Sequence, residues 1–142
     1  MAKVTAVAIA TIDARPEWVL GFLRDYEKRP KILTDNYTNF RTEPGADGPI
    51  LAYHLAAGGR ERDYRLHVSE TPDGLTERDE SSSFVNTWTV SEFGPTRSEV
   101  RLEGSWDGAS GIGGFFERMF APLGLRRIYA EVLDRLAAAA RE

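Results

Sequence analysis

The sequence predicts an α+β fold built on an antiparallel sheet, and three observations predict it. A β-branched run over residues 4–12 is typical of a first strand. Short alternating segments separated by turn residues fill the middle of the chain, which is typical of an antiparallel meander. Towards the C-terminus, apolar residues recur three and four positions apart, which indicates an amphipathic helix.

Composition limits the function classes. The 142 residues, 42% of them hydrophobic, fit one domain over residues 1–142 with its own core. A net charge of −4 does not favour nucleic-acid binding. The absence of cysteine excludes disulfides, thiolate metal sites and cysteine nucleophiles, and two histidines are too few for a His-rich metal site. We therefore expect no metal and no cofactor.

No apolar run approaches the ~20 residues that a membrane-spanning helix needs. The run at residues 4–12 is a poor signal peptide, because Asp13 and Arg15 follow it directly. We therefore expect a cytoplasmic protein without stable membrane insertion. The sequence leaves the oligomeric state open.

Two short helical segments should follow the first strand. Asp13 is a suitable N-cap, Pro16 is tolerated in a first turn and Glu17 suits the positive end of the helix dipole. These residues predict a helix over 15–24. A second piece over 25–33 should bend at Pro30.

Six strands are predicted next, at about 36–43, 49–57, 60–70, 75–80, 83–93 and 97–107. The C-terminal apolar stripe then changes phase at Pro122–Gly124. This pattern predicts either one long helix kinked at the proline or two helices in series.

Several motifs in this order resemble a known family. They are the segment Ile-Asp-Ala-Arg-Pro-Glu-Trp-Val at 12–19, Leu-Arg-Asp at 23–25 before Pro30, Trp-Thr-Val at 88–90 before Gly-Pro-Thr at 94–96, and Pro122. The chain resembles the START-like helix-grip superfamily (SRPBCC), in its polyketide cyclase/dehydrase and lipid-transport branch. It departs from that pattern at Lys31 and Ile32, where relatives often carry an aromatic residue.

The resemblance implies a helix-grip fold. A curved seven-stranded antiparallel sheet would wrap around the long C-terminal helix, with two short helices between strands 1 and 2. A hydrophobic small molecule would occupy a cavity between sheet and helix. Members of the family include carriers, receptors, cyclases and chaperone activators, so the fold does not choose among functions.

Strand alternation predicts which side chains face the cavity. A tight hairpin at Gly58-Gly59 puts Leu51, Tyr53, Leu55, Arg62, Tyr64 and Leu66 on one face. Both histidines fall on the opposite face. His54 opposite Asp63 is either a catalytic pair or an exposed cross-strand pair, and the register favours the second interpretation.

Asn86 is the polar member of an otherwise apolar inner set that includes Phe84, Trp88, Leu102 and Trp106. Gly104 beside it leaves room, so the amide either orients a ligand or is a structural group bonded within the protein. The two interpretations stay open.

Strand 75–80 carries the candidate catalytic groups. If the turn at 81–82 is tight, Glu77 pairs with Asn86, and Glu77 and Asp79 point inward, where Arg62 can pair with one of them. A carboxylate in an apolar cavity can act as an acid or a base. A bulge among the serines would instead turn Thr76, Arg78 and Glu80 inward.

The sequence leaves three functions open. The first is the binding of a small hydrophobic ligand, and the second is a cyclase, aromatase or dehydratase activity that uses Glu77 or Asp79. The third is a protein-interaction module, which the polar outer face disfavours. The candidate ligand-binding residues are Tyr53, Arg62, Tyr64, Leu66, Asn86, Trp88, Leu102, Trp106 and, on the helix, Phe115, Phe116, Met119 and Phe120.

Overall fold

The computed structural model describes residues 3–107 and 121–142. The first strand, β1 (Lys3–Ile12), leads into helix α1 (Pro16–Leu23) and a short 3-10 helix (Arg29–Ile32). Arg15, rather than Asp13, occupies the N-cap of α1, and its side chain makes no capping hydrogen bond. Pro30 lies in the first turn of the 3-10 helix, so it starts this segment and does not bend it.

Six further strands follow in a meander. They are β2 (Tyr37–Gly45), β3 (Gly48–Ala57), β4 (Arg60–Thr71), β5 (Gly74–Asp79), β6 (Val85–Glu92) and β7 (Ser98–Asp107). All seven strands form one antiparallel sheet in the order β1-β7-β6-β5-β4-β3-β2. Short turns join the successive strands from β2 to β7, and glycines with positive φ occur at three of these turns, namely Gly48, Gly58 with Gly59, and Gly94.

The hairpin between β3 and β4 confirms the predicted register. Gly58 and Gly59 have φ values of 58° and 78°, a left-handed pair that glycine adopts without strain. Tyr53 lies opposite Tyr64 as predicted, and both side chains are buried. On the other face, His54 Nδ1 lies 2.7 Å from Asp63 Oδ1 in the expected cross-strand pair.

The C-terminal helix, α2, spans Pro122–Ala140. Ala121 is extended, with φ −60° and ψ 143°, so the helix begins at Pro122 and the interpretation of one helix kinked there is wrong. A proline is favourable at this position because its missing N–H would have no partner in a first turn. The segment predicted to be helical before it lies outside the described residues.

Helix α2 packs on the inner face of β1, next to the buried side chains of Ala6 and Ala8. These small residues let the helix approach the sheet closely. Arg135 Nη1 donates a hydrogen bond of 2.9 Å to the carbonyl of Leu33, which ties α2 to the chain after the 3-10 helix. In the described part of the chain, no helix has the length and apolar character needed to cross a membrane.

Candidate functional site

A row of aromatic rings follows the concave face of the sheet. Ring centroids are 5.0 Å apart for Tyr37 and Tyr53, 5.5 Å for Tyr53 and Tyr64, and 5.2 Å for Tyr64 and Phe84. Trp106 extends the row at 6.1 Å from Phe84. Because side chains alternate along each strand, all these rings reach the same side of the sheet, the side that faces α2.

A narrow cavity lies between this face, α2 and the 3-10 helix. Its volume is about 20 Å³, which is room for about one water molecule. The described residues around it are mostly apolar or aromatic, with a few polar groups: Arg29, Leu33, Tyr37, Phe40, Leu51, Tyr53, Glu77, Asn86, Trp88, Leu102, Tyr129 and Val132.

Glu77 points into the protein from β5, as the tight-turn interpretation predicts. It lies opposite Asn86 in the register, and its exposure is 1%. The 3-10 helix places Arg29 beside it, with Arg29 Nη2 at 2.9 Å from Glu77 Oε2. Arg29 is itself 4% exposed, so the two charges form a buried ion pair.

Two further contacts hold Arg29 in place. Its Nη1 donates a hydrogen bond of 3.1 Å to the carbonyl of Leu23 at the end of α1. Its guanidinium also lies over the Trp88 ring, 5.1 Å from the ring centroid. Arg29 is not among the site residues predicted from the sequence, because no periodic pattern marks a residue in so short a helix.

Three buried polar atoms of the cavity walls lack a hydrogen-bond partner. They are Arg29 Nε, Trp88 Nε1 and Glu77 Oε2. The contact between Glu77 Oε2 and Arg29 Nη2 is close but lacks the alignment of a hydrogen bond. A buried donor without a partner costs about 1–3 kcal/mol, so Arg29 Nε and Trp88 Nε1, beside the ion-paired Glu77 Oε2, form an unsatisfied polar end of the cavity.

Asn86 also lines the cavity, and the structure gives it a protein partner. The hydroxyl of Tyr129, on α2, donates a hydrogen bond to Asn86 Oδ1. The room that Gly104 leaves is filled by the Tyr129 ring, since a Cβ at Gly104 would stand 3.1 Å and 3.2 Å from Cε2 and Cζ of that ring. Spacing places Tyr129 in the C-terminal apolar stripe, but spacing alone cannot show which strand residue its hydroxyl meets.

Burial keeps the cavity tyrosines protonated. Removal of the phenols from water raises the pKa of Tyr53 and of Tyr129 well above the usual 10.0, and neighbouring tyrosines add to the effect. The pKa of Tyr37 is also raised, mainly by burial. A phenol is already protonated at neutral pH, and the raised pKa values keep these hydroxyls protonated, and able to donate a hydrogen bond, at higher pH as well.

Asp79, the second candidate carboxylate, is buried but does not line this cavity. It forms an ion pair with Arg62, which lies over the Tyr64 ring at 4.4 Å from the centroid. Asp79 also accepts a hydrogen bond of 2.6 Å from Ser82 Oγ, and its N–H donates one of 3.0 Å to the carbonyl of Phe84. These contacts close the β5–β6 turn.

The predicted ligand-binding residues thus fall into three groups. Four of them line the cavity, namely Tyr53, Asn86, Trp88 and Leu102. Four others point to the same side of the sheet but are not among the described residues that line the cavity, namely Arg62, Tyr64, Leu66 and Trp106. Phe115, Phe116, Met119 and Phe120 lie outside the described residues.

Comparisons with known proteins agree with this architecture. The model of a family described as "Polyketide cyclase / dehydrase and lipid transport" matches residues 1–141. Among solved structures, the KanY protein, studied by NMR in solution, is 39% identical, with 100% of each chain covered and a TM-score of 0.86. A search of curated proteins gave no match.

Two more distant structures share the fold. The Zhui aromatase/cyclase from Streptomyces sp. R1128 is 13% identical, with 99% of this chain and 94% of that chain covered and a TM-score of 0.73. A START superfamily protein from Mycobacterium smegmatis is also 13% identical, with 95% and 92% covered and a TM-score of 0.61. The predicted helix-grip fold is therefore confirmed.

The close approach of Gly104 and Tyr129 leads to a first prediction. We expect Gly104→Ala to lower the free energy of unfolding by about 1–3 kcal/mol, because the added methyl group overlaps the Tyr129 ring. Denaturant unfolding measures the change. Gly124→Ala is the control, because its Cβ would meet no described atom within 4 Å. In a Tyr129→Leu background, Gly104→Ala should lower the free energy of unfolding by less. An equal loss in both backgrounds would contradict the contact between Gly104 and the Tyr129 ring.

The raised pKa values of the cavity tyrosines lead to a second prediction. Since the folded state holds these protons more tightly, the stability they contribute is complete below about pH 10 and is lost as the pH rises towards the folded pKa values. Each such tyrosine adds up to about 1.4 kcal/mol per pH unit to the slope above pH 10.

Urea unfolding between neutral and strongly alkaline pH tests this slope. Tyr53→Phe and Tyr129→Phe should each flatten the decline above pH 10, since each removes one titrating phenol. Trp106→Phe changes a buried ring without removing a phenol. The free energy of unfolding of this variant should therefore decline with pH as steeply as that of the unsubstituted protein. Equal slopes in all four proteins would show that the phenols are not buried.

Proposed function

The chain belongs to the polyketide cyclase/dehydrase and lipid-transport family, and from that premise we propose that it binds a small hydrophobic molecule carrying an oxygen-containing polar group. The ligand would lie between the sheet and α2, in the cavity beside Glu77. Tyr53, Trp88 and Leu102 would contact its apolar part. Such a site needs mainly apolar walls and a few polar groups that set orientation.

The observation that carries the proposal is the unsatisfied polar end of the cavity. Arg29 Nε and Trp88 Nε1 can each donate to a ligand oxygen, and Glu77 Oε2 can accept from a ligand hydroxyl. A structural core normally pairs such atoms, since each one costs stability. A phenol, an enol or a hydroxyketone would supply the missing partners.

A ligand larger than one water needs more space than the cavity offers in this conformation. Leu33, Tyr37 and Phe40 line the cavity and are only half-buried, so they are the described side chains nearest to solvent. We propose that the side chains of these residues change rotamer when the ligand enters, while the backbone of β2 stays in the sheet. Their displacement costs less than opening the strands, because it breaks no sheet hydrogen bonds.

The polar end leads to a third prediction, which uses a matched pair of probes, 2-naphthol and naphthalene. Trp88→Phe should weaken the binding of 2-naphthol about tenfold, because the probe oxygen loses a buried donor. The affinity for naphthalene should change much less. Calorimetric or fluorescence titration measures both constants, and mass spectrometry of a denaturing extract identifies any molecule that co-purifies.

Trp106→Phe is the control, because Trp106 is buried on the same side of the sheet but is not among the described residues that line the cavity. It should leave the preference for 2-naphthol unchanged. The proposal fails if the protein does not distinguish the two probes, or if Trp88→Phe and Trp106→Phe reduce that preference equally.

A second candidate function rests on the position of Glu77. Its carboxylate lines the cavity, and one of its oxygens lacks a hydrogen-bond partner. A carboxylate so placed can take a proton from a bound ligand or return one, as a cyclase, aromatase or dehydratase requires. We propose this activity as the alternative, with Glu77 as the acid or base and Arg29 as the group that positions it.

Glu77→Gln separates the two functions in a fourth prediction. If the protein is an enzyme, turnover of poly-β-ketone substrates should fall about 10²–10⁴-fold, while 2-naphthol still binds. If it is a carrier, no turnover should appear before or after the substitution. Cyclisation is followed by the absorbance of the aromatic product.

The stability of this variant has to be checked, because Gln leaves Arg29 buried without its charge partner. The double variant Glu77→Gln/Arg29→Gln removes both charges and is the control for folding. Turnover that survives in both variants would rule out Glu77 as the acid or base.

A further inference from the structure

The two edges of the sheet are protected to different degrees. β1 is one edge strand and β2 is the other. An unpaired edge exposes backbone N–H and C=O groups that can pair with another chain, and proteins block this with bulges, prolines and charges. β2 has all three. Its register with β3 shifts at a bulge between Thr38 and Arg41, and the strand carries the charged Glu43 and the proline Pro44.

Within residues 3–107 and 121–142, β1 has almost none of this protection. Its register with β7 runs without a shift over ten residues, from Lys3 to Ile12, and it contains no proline. Lys3 at its start is its only charged residue. On its outer face Thr5, Ile9 and Thr11 are exposed, and Ile9 is 56% exposed, which is unusual for so large an apolar side chain.

We propose that β1 pairs antiparallel with β1 of a second copy of this chain. A two-fold axis at Ala8 would place Val7 opposite Ile9 and Thr5 opposite Thr11 of the second copy. Both are favourable cross-strand pairs, of apolar with apolar and of hydroxyl with hydroxyl. The interface would be isologous, as in most homodimers.

Charge complementarity supports this register. With Ala8 on the axis, Lys3 of one copy lies opposite Asp13 of the other, and the symmetry repeats the pair. Lys3 and Asp13 are both exposed, at opposite ends of the strand. No like charges meet along the edge, because β1 carries no other charged residue.

The proposed interface leaves the cavity as it is. The inward side chains of β1, such as Ala6 and Ala8, belong to the core under α2. Pairing at the edge uses backbone groups and the outward side chains instead. The dimer therefore does not depend on the proposed ligand, and each can be tested without the other.

The experiment is sedimentation equilibrium on the full chain over a wide concentration range. We expect a dimer, and we expect Ile9→Lys to raise its dissociation constant at least about tenfold, since each dimer loses two apolar pairs and gains two cations at the interface. Thr42→Lys is the matched control, because it adds the same charge at an exposed position on the protected edge, β2. It should leave the dissociation constant unchanged.

A charge exchange tests the register. Lys3→Glu and Asp13→Lys should each weaken the dimer, and the double variant should restore it. Circular dichroism confirms that every variant is folded. The proposal is overturned if the chain is a monomer at all concentrations, if Ile9→Lys and Thr42→Lys have equal effects, or if the double variant is no tighter than the single ones.

Discussion

The arrangement of the site depends on the burial of two carboxylates from one strand. Glu77 and Asp79 lie two residues apart on β5, so strand alternation sends both to the side of the sheet that carries the core. Buried charges are costly unless they are paired. Arg62 reaches Asp79 from β4, while Arg29 reaches Glu77 from the 3-10 helix, so the pair involving Glu77 holds that helix over the sheet and closes one side of the cavity.

The two ion pairs have different consequences. Asp79 is surrounded by donors from Arg62, Ser82 and the Arg65 backbone, and it stabilises a turn. Around Glu77 several polar atoms lack a hydrogen-bond partner, although Glu77 and Asp79 are both buried. Binding sites are often the places where a protein gives up local stability, because the missing partner comes from the ligand. This contrast is why we place the proposed function at Glu77.

Much of the fold was predictable, because strand alternation and turn chemistry act over short distances. Gly58 and Gly59 set the β3–β4 register, and the tight turn after β5 then turns Glu77 towards Asn86. The site was only partly predictable for the opposite reason. Arg29 and Tyr129 are far from Glu77 and Asn86 in sequence, and no local pattern shows that they meet.

The sequence by itself therefore determined the order of the elements, the inward face of each strand and the family resemblance. These follow from side-chain periodicity, from glycine and proline conformation and from local motifs. Only the tertiary structure decided that Pro122 begins a helix, that the room beside Gly104 is taken by Tyr129 and that Glu77 has a cation beside it. Each of these depends on how distant segments pack against one another, and packing is set by the whole core rather than by any single stretch of sequence.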